Sequence, residues 1–177
     1  MKNVRAGLAG ALGALAMLIA GSGTAVAETT DAATGQVDEL LLLNPGSHRV
    51  DANSVELEPG VILRVANKGK AGDAGVQAAC ASGNVCIYGD PGHRGPQLNF
   101  YNYGFYNLAR YNYPGGGKWA HRTSSYTNNQ TGHAKANFSR YQSSNNTWYG
   151  VDECRALCAK ATLGSIDNVI DGVRLEP

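Results

Sequence analysis

The sequence predicts an all-β fold: two Greek-key units forming a sandwich, preceded by a short β-hairpin leader. Three observations carry this expectation. All nine tyrosines fall between Tyr88 and Tyr149, and six of them between Tyr88 and Tyr113. They sit among turn formers, as in Val85-Cys-Ile-Tyr-Gly-Asp-Pro-Gly-His-Arg-Gly. Aromatic and β-branched residues suit pleated strands, whereas Gly, Pro, Asn and Asp punctuate turns. The third observation is a weak internal repeat. Residues 85–129 run strand, turn, strand, Tyr-rich loop and closing strand, and residues 134–176 repeat that order. Two such antiparallel units pack naturally as a sandwich.

The first 27 residues read as a signal peptide. Lys2 and Arg5 are followed by an apolar run from Ala6 to Ala20 and an Ala25-Val-Ala27 cleavage site. The run is short for a bilayer span of ~20 residues. The expected product begins near Glu28, is secreted and extracellular, and makes no membrane contact after cleavage. Its remaining ~150 residues suit one domain plus an appendage.

Residues 28–79 form an acidic leader. Glu28 to Gln36 is small and polar, with no expected order. Leu40–Leu43 is ambiguous between helix and strand. Asn44-Pro-Gly marks a turn, and short strands follow at His48–Asp51, Ser54–Leu57 and Val61–Val65. Glu58-Pro-Gly supplies the hairpin turn between the last two. Residues 67–79, rich in Gly, Ala and Lys, read as a linker. The main domain, residues 80–177, has strand candidates at Val85–Gly89, Gln97–Tyr101, Ser124–Thr127, Ala134–Arg140, Thr147–Tyr149 and Gly172–Leu175. Asn107-Leu-Ala-Arg-Tyr and Ala161-Thr-Leu-Gly-Ser correspond, each just upstream of a closing strand.

Charge is divided unevenly. Residues 28–79 carry eight acidic and four basic side chains, and residues 80–177 carry six acidic and nine basic. The pattern suggests an acidic leader leaning on a mildly basic domain. A net +3, scattered, argues against a nucleic-acid partner. Cys80, Cys86, Cys154 and Cys158 make an even count in an exported chain, which suggests two disulfides. Three pairings are open. Cys80–Cys86 would close a small loop worth about 2 kcal/mol in the chain-entropy model. Cys154 and Cys158 lie in a helix-like run, Asp152 to Lys160, where a regular helix makes bridging awkward. If they pair, the segment must be a distorted turn. Cys-x3-Cys without a well-placed His is a poor zinc set.

Cys80-Ala-Ser-Gly-Asn-Val-Cys-Ile-Tyr, then Gly-Asp-Pro-Gly-His-Arg-Gly, Asn107-Leu and Thr123-Ser-Ser-Tyr-Thr-Asn-Asn together resemble the secreted actinobacterial peptidase-inhibitor family of the metalloproteinase-inhibitor type. The resemblance implies a βγ-crystallin-like fold and an extracellular peptidase as protein partner, met as a monomer. It covers Cys80 to about Asn129 well and the second half loosely. The sequence departs from the crystallin pattern in two places. The aromatic–x4–aromatic–x–Gly frame here is Tyr88, His93 and Gly95, so His93 alters the folded hairpin. The first calcium-type motif begins with Ala120 and His121, which supply no side-chain oxygen, whereas calcium wants hard oxygen ligands. The second keeps Asp167, Asn168 and Asp171, a weak calcium candidate whose simpler alternative is a turn. No other cofactor is expected.

Catalysis is hard to build from these residues. His48, His93, His121 and His133 show no metal spacing, and no nucleophile–base set stands out. The expected protein is therefore not an enzyme. The stretch most suited to binding runs from Tyr101 to Trp119. It contains Tyr101, Tyr103, Phe105, Tyr106, Arg110, Tyr111, Tyr113 and Trp119, the composition of adaptable contact surfaces. About half of its rings should fill the core, because strand residues alternate between faces. Three functions are open: peptidase inhibition, a crystallin-like structural or weakly calcium-binding module, and a cell-surface or polysaccharide-binding domain.

Overall fold

A computed structural model describes residues 25–66 and 79–177. The signal-peptide run through residue 24 and nearly all of the expected linker lie outside those residues. The described chain opens with helix α1 (Ala25–Leu43). Ala33, Val37 and Leu40 are buried at i, i+4 and i+7, one helical stripe, and join the main core. The expectation of a small polar segment without order is corrected here. That stripe docks on strands β1 (His48–Asp51) and β2 (Ser54–Glu58), and tertiary packing overrides weak local propensity. The helix stops at Asn44-Pro-Gly. The Asn44 side chain donates to the Leu40 carbonyl at 2.7 Å, and Gly46 takes φ +93°.

The leader hairpin is built into the sheet of the segment that follows Cys80. Strand β3 (Val61–Arg64) pairs antiparallel with β2 on one side and with β5 (Arg94–Phe100) on the other. The remaining strands are β4 (Val85–Asp90), β6 (Gly104–Asn107), β7 (Ser125–Asn128), β8 (Lys135–Gln142), β9 (Thr147–Arg155), β10 (Cys158–Lys160) and β11 (Gly172–Glu176). They form a seven-stranded sheet, ordered β1-β2-β3-β5-β4-β7-β10, and a four-stranded sheet, ordered β6-β11-β8-β9.

The order shows two interlocked Greek keys. Strand β6 of the first half pairs with β11 of the second, and β10 of the second half pairs with β7 of the first. Each half therefore lends one strand to the other's sheet, and neither sheet is complete alone. The halves also match in their turns. Short 3₁₀ turns occupy Leu108–Arg110 and Gly164–Ile166. His121 and Asn168 both adopt left-handed backbone, with φ +61° and +55°. The His121 amide donates to the Ile170 carbonyl, and the Asn168 amide donates to the Thr123 carbonyl. This architecture is the all-β sandwich of two Greek-key units that the sequence predicted.

Register explains the core. Leu63, Leu98, Ile87 and Tyr126 stand opposite one another across four strands, as do Val61, Phe100 and Val85 across three. These residues are fully buried and meet the inner face of the smaller sheet, where Tyr126 stacks on Phe138 at 4.0 Å and Phe100 packs on Tyr106 at 4.6 Å. Close cross-strand apolar pairs of this kind are the unit of sheet stabilisation. The Tyr126 hydroxyl donates to Asp152 at 2.6 Å, and Lys160 closes on the same carboxylate. Burial pushes the Asp152 carboxyl up, but Lys160 and Tyr126 outweigh it and hold the group below the usual carboxylate range.

His93 replaces an aromatic ring without opening the folded β4–β5 hairpin. Its ring meets Tyr88 edge-on at 5.3 Å, and its backbone takes φ +58°. The Ser125 hydroxyl donates to the Asp90 carbonyl at 2.7 Å and accepts from the His93 amide at 3.0 Å, clamping the hairpin to β7. Gly95 has φ +77°, and an added Cβ would stand 2.5 Å from an Asp90 carboxylate oxygen.

Both local disulfides form, Cys80–Cys86 and Cys154–Cys158, with Cα separations of 5.8 and 6.0 Å. The helix-like reading of Asp152 to Lys160 is corrected: the run is the end of β9, a two-residue turn at Ala156–Leu157, and β10. Leu157 takes φ +66°, which breaks any helix and lets the strand reverse within the disulfide loop. Two disulfides belong to an oxidising compartment. Among the described residues no helix is long and apolar enough to cross a membrane.

Candidate functional site

The tyrosine-rich stretch divides between core and surface. Tyr101, Tyr103 and Phe105 are exposed, and so is the Arg110 side chain. Tyr106, Tyr111 and Trp119 are buried, so their expected place on an exposed contact loop is corrected. Strand alternation turns Tyr106 inward between Phe105 and Asn107. Trp119 is fully enclosed, with Tyr113 edge-on against it at 5.0 Å. Tyr113 is half-buried and carries the Arg122 guanidinium over its ring at 5.2 Å.

Much of the exposed remainder is already engaged by the acidic leader. The Tyr101 hydroxyl donates to Glu56 at 2.6 Å. Glu58 accepts from the Tyr111 hydroxyl and from Arg110. The bond to Glu56 raises the Tyr101 phenol above its ordinary range, and the Tyr101 hydroxyl in turn lowers the Glu56 carboxyl. Burial, and then the Glu58 bond, push Tyr111 up further. Asn112 donates to the Leu43 carbonyl and to the Asn44 side chain, each at 3.0 Å. The predicted lean of the acidic leader on the basic segment thus has named contacts, and they occupy the loop read as a binding surface.

The weak calcium candidate is arranged as part of the fold's own bonding. Asn168 donates to Asp167 at 3.1 Å, and both are exposed. Asp171 is buried and accepts from the Tyr141 amide at 2.9 Å. Among the described residues no three His, Cys, Asp or Glu side chains gather as a metal site.

Sequence reasoning missed a different feature, an open cleft of about 590 Å³ where the two Greek keys meet. Trp148 and Tyr141 wall it from β9 and β8, their rings 5.0 Å apart. Asn107 reaches it from the end of β6, His121 from the left-handed turn before β7, and Asp171 from the entrance to β11. The Asp171 side chain is 6% exposed, and its Oδ1 lies 3.1 Å from His121 Nε2. The two are within ion-pair distance, and Oδ1 accepts no hydrogen bond from the described residues. On the far side of Trp148 a second hollow, of about 290 Å³, is lined by Phe105, Asn137 and Arg174. Phe105 meets Trp148 edge-on at 4.8 Å, and Arg174 lies over the Phe105 ring at 5.1 Å. The available signal was Trp148 itself, an aromatic placed directly after the polar turn Ser143-Ser-Asn-Asn-Thr.

A scan against protein-family models finds no match. No curated protein matches the sequence. Two solved structures are similar in fold. One is the N-terminal domain of protein S, 19% identical with a TM-score of 0.38, covering 52% of this chain and 94% of that one. The other is described as "Evolution of the eye lens beta-gamma-crystallin domain fold", 15% identical with a TM-score of 0.41, covering 58% of this chain and 93% of that one.

Proposed function

We propose that the chain is a non-enzymatic, crystallin-like structural module secreted to an extracellular, oxidising space. The observation that carries this reading is the mutual strand exchange, β6 into one sheet and β10 into the other, with each half braced by its own disulfide. Such a body persists because neither half can open alone. Each small disulfide loop adds about 2 kcal/mol in the chain-entropy model.

One observation favours a second reading, inhibition of an extracellular peptidase. Leu157 is 79% exposed at the tip of the Cys154–Cys158 loop. Its amide donates to the Asn128 carbonyl, and the Ala156 amide donates to the Ala134 carbonyl, both at 2.8 Å. A large apolar side chain is therefore held out on a short, pinned loop, and a pre-organised anchor of that kind suits insertion into a partner's pocket. The backbone there is left-handed rather than extended, so the side chain and not the strand would make the contact.

One experiment separates the two readings. The mature protein is incubated at stoichiometric ratio with a panel of metallo- and serine peptidases. The structural reading expects undiminished peptidase activity throughout. Stoichiometric inhibition that Leu157→Asp abolishes, with the melting temperature unchanged, would replace it with the inhibitor reading.

A further inference from the structure

We propose that the cleft beside Trp148 is a binding site for a neutral polysaccharide. The inference rests on what the cleft can still offer after its internal bonds are counted. Asn107 spends its side-chain oxygen on the Ala109 amide at 3.0 Å. Asn146 spends its own on the Tyr141 hydroxyl at 2.6 Å. Each therefore presents its amide N–H groups to a ligand, with one lone pair of its oxygen already engaged. The carboxylate of Asp171 is held by the Tyr141 amide through Oδ2, while the buried Oδ1 accepts no hydrogen bond and has only the His121 ring nitrogen beside it, at 3.1 Å. His121 stands beside it, 63% exposed.

That mixture selects the ligand's chemistry. An anion would meet the Asp171 carboxylate, and a buried carboxylate without compensation repels it. A cation would meet one carboxylate among neutral side chains whose amide oxygens are already engaged, short of the six to eight oxygens that calcium takes. A hydroxyl group both donates and accepts, so a row of hydroxyls can satisfy Asp171 Oδ1 and the Asn107 and Asn146 amides together. A buried acceptor left without a donor is costly, and a ligand hydroxyl would relieve that cost. Trp148 and Tyr141 supply flat apolar faces for the C–H side of a sugar ring. The cleft volume lies within the range of small-ligand sites. The second hollow, across Trp148, carries the surface on towards Phe105 and Asn137. Two hollows flanking one indole fit a chain of sugars better than a single ring.

The test uses the full mature chain and its own tryptophans. Trp119 is fully buried, so acrylamide quenching reports mainly on Trp148. Soluble hexasaccharides of β-linked glucose, N-acetylglucosamine and xylose are titrated in turn, with chelator present. The expected result is that one class shields the indole from acrylamide, and that Trp148→Ala binds the matching insoluble polysaccharide about tenfold or more weakly. The melting temperature of the variant separates lost binding from lost folding, and the quenching arm needs no variant. Three results would overturn the proposal: no class shields the indole, Trp148→Ala retains full binding, or binding appears only when calcium replaces the chelator.

Discussion

A chain that begins at Cys80 will not keep its fold as a monomer. Removing residues 28–79 strips β3 from β5 and bares the backbone groups of Gln97 to Phe100 along a sheet edge. It also removes Val37, Leu40, Val55, Val61, Leu63 and Val65, all at most 3% exposed, from the common core. Each buried aliphatic side chain is worth about 1.5–3 kcal/mol as an upper estimate. Set against a typical domain stability of about 5–15 kcal/mol, the loss is disabling. An unprotected edge is also a template for pairing with another chain. Size-exclusion chromatography and a thermal melt of residues 80–177 should show unfolded or self-associated material. A monomer melting where the full chain melts would show that the hairpin is an ornament.

Trp119→Ala should have the largest effect of any single substitution. The indole is fully buried between the tyrosine loop and the core, and truncating such a ring costs about 3–5 kcal/mol. For a domain of this size that lowers the melting temperature by roughly 10 °C or more. Trp119→Phe should cost much less, for two reasons. Most of the volume remains, and the indole N–H, which finds no acceptor among the described residues, is removed. The contrast between the variants separates packing from polar bonding. Equal losses for both would mean that the indole nitrogen has a partner that matters.

The strands were legible because they carry their own punctuation. Six of them emerge from aromatic or β-branched runs ended by Gly, Asn or Pro, and β1 to β3 emerge from the same signals in the leader. Strands β6 and β10 were not legible. Gly104-Phe-Tyr-Asn sits inside a longer tyrosine-rich stretch with nothing to mark its ends, and Cys158–Lys160 is three residues long in a run of helix formers. Both pair with strands of the opposite half, and a partner 30 to 70 residues away leaves no local trace. Helix α1 was missed for a related reason. Its Ala and Glu residues are interrupted by Thr, Asp, Val and Gly before Leu40, and its burial is supplied by the hairpin it packs on.

The site was less legible than the fold. Asp171 was visible as part of a calcium-type motif, but His121 is fifty residues upstream and Tyr141 thirty. Their meeting depends on the interlock of the two halves. The tyrosine loop is only partly surface, for the converse reason. Composition marked its rings as contact-makers, and they are, but Tyr101, Arg110 and Tyr111 contact Glu56 and Glu58 of the same chain.

Hydrogen exchange of the full mature chain, resolved by residue, tests most directly whether leader and sandwich are one cooperative body. The amides that β2 and β3 donate across their shared ladder should exchange with the same opening free energy as those of β4 and β5, and all should fall together as denaturant is added. If the β2–β3 amides exchanged early, at a free energy well below that of β4 and β5, the hairpin would be a detachable leader and the integrated sheet would be contradicted.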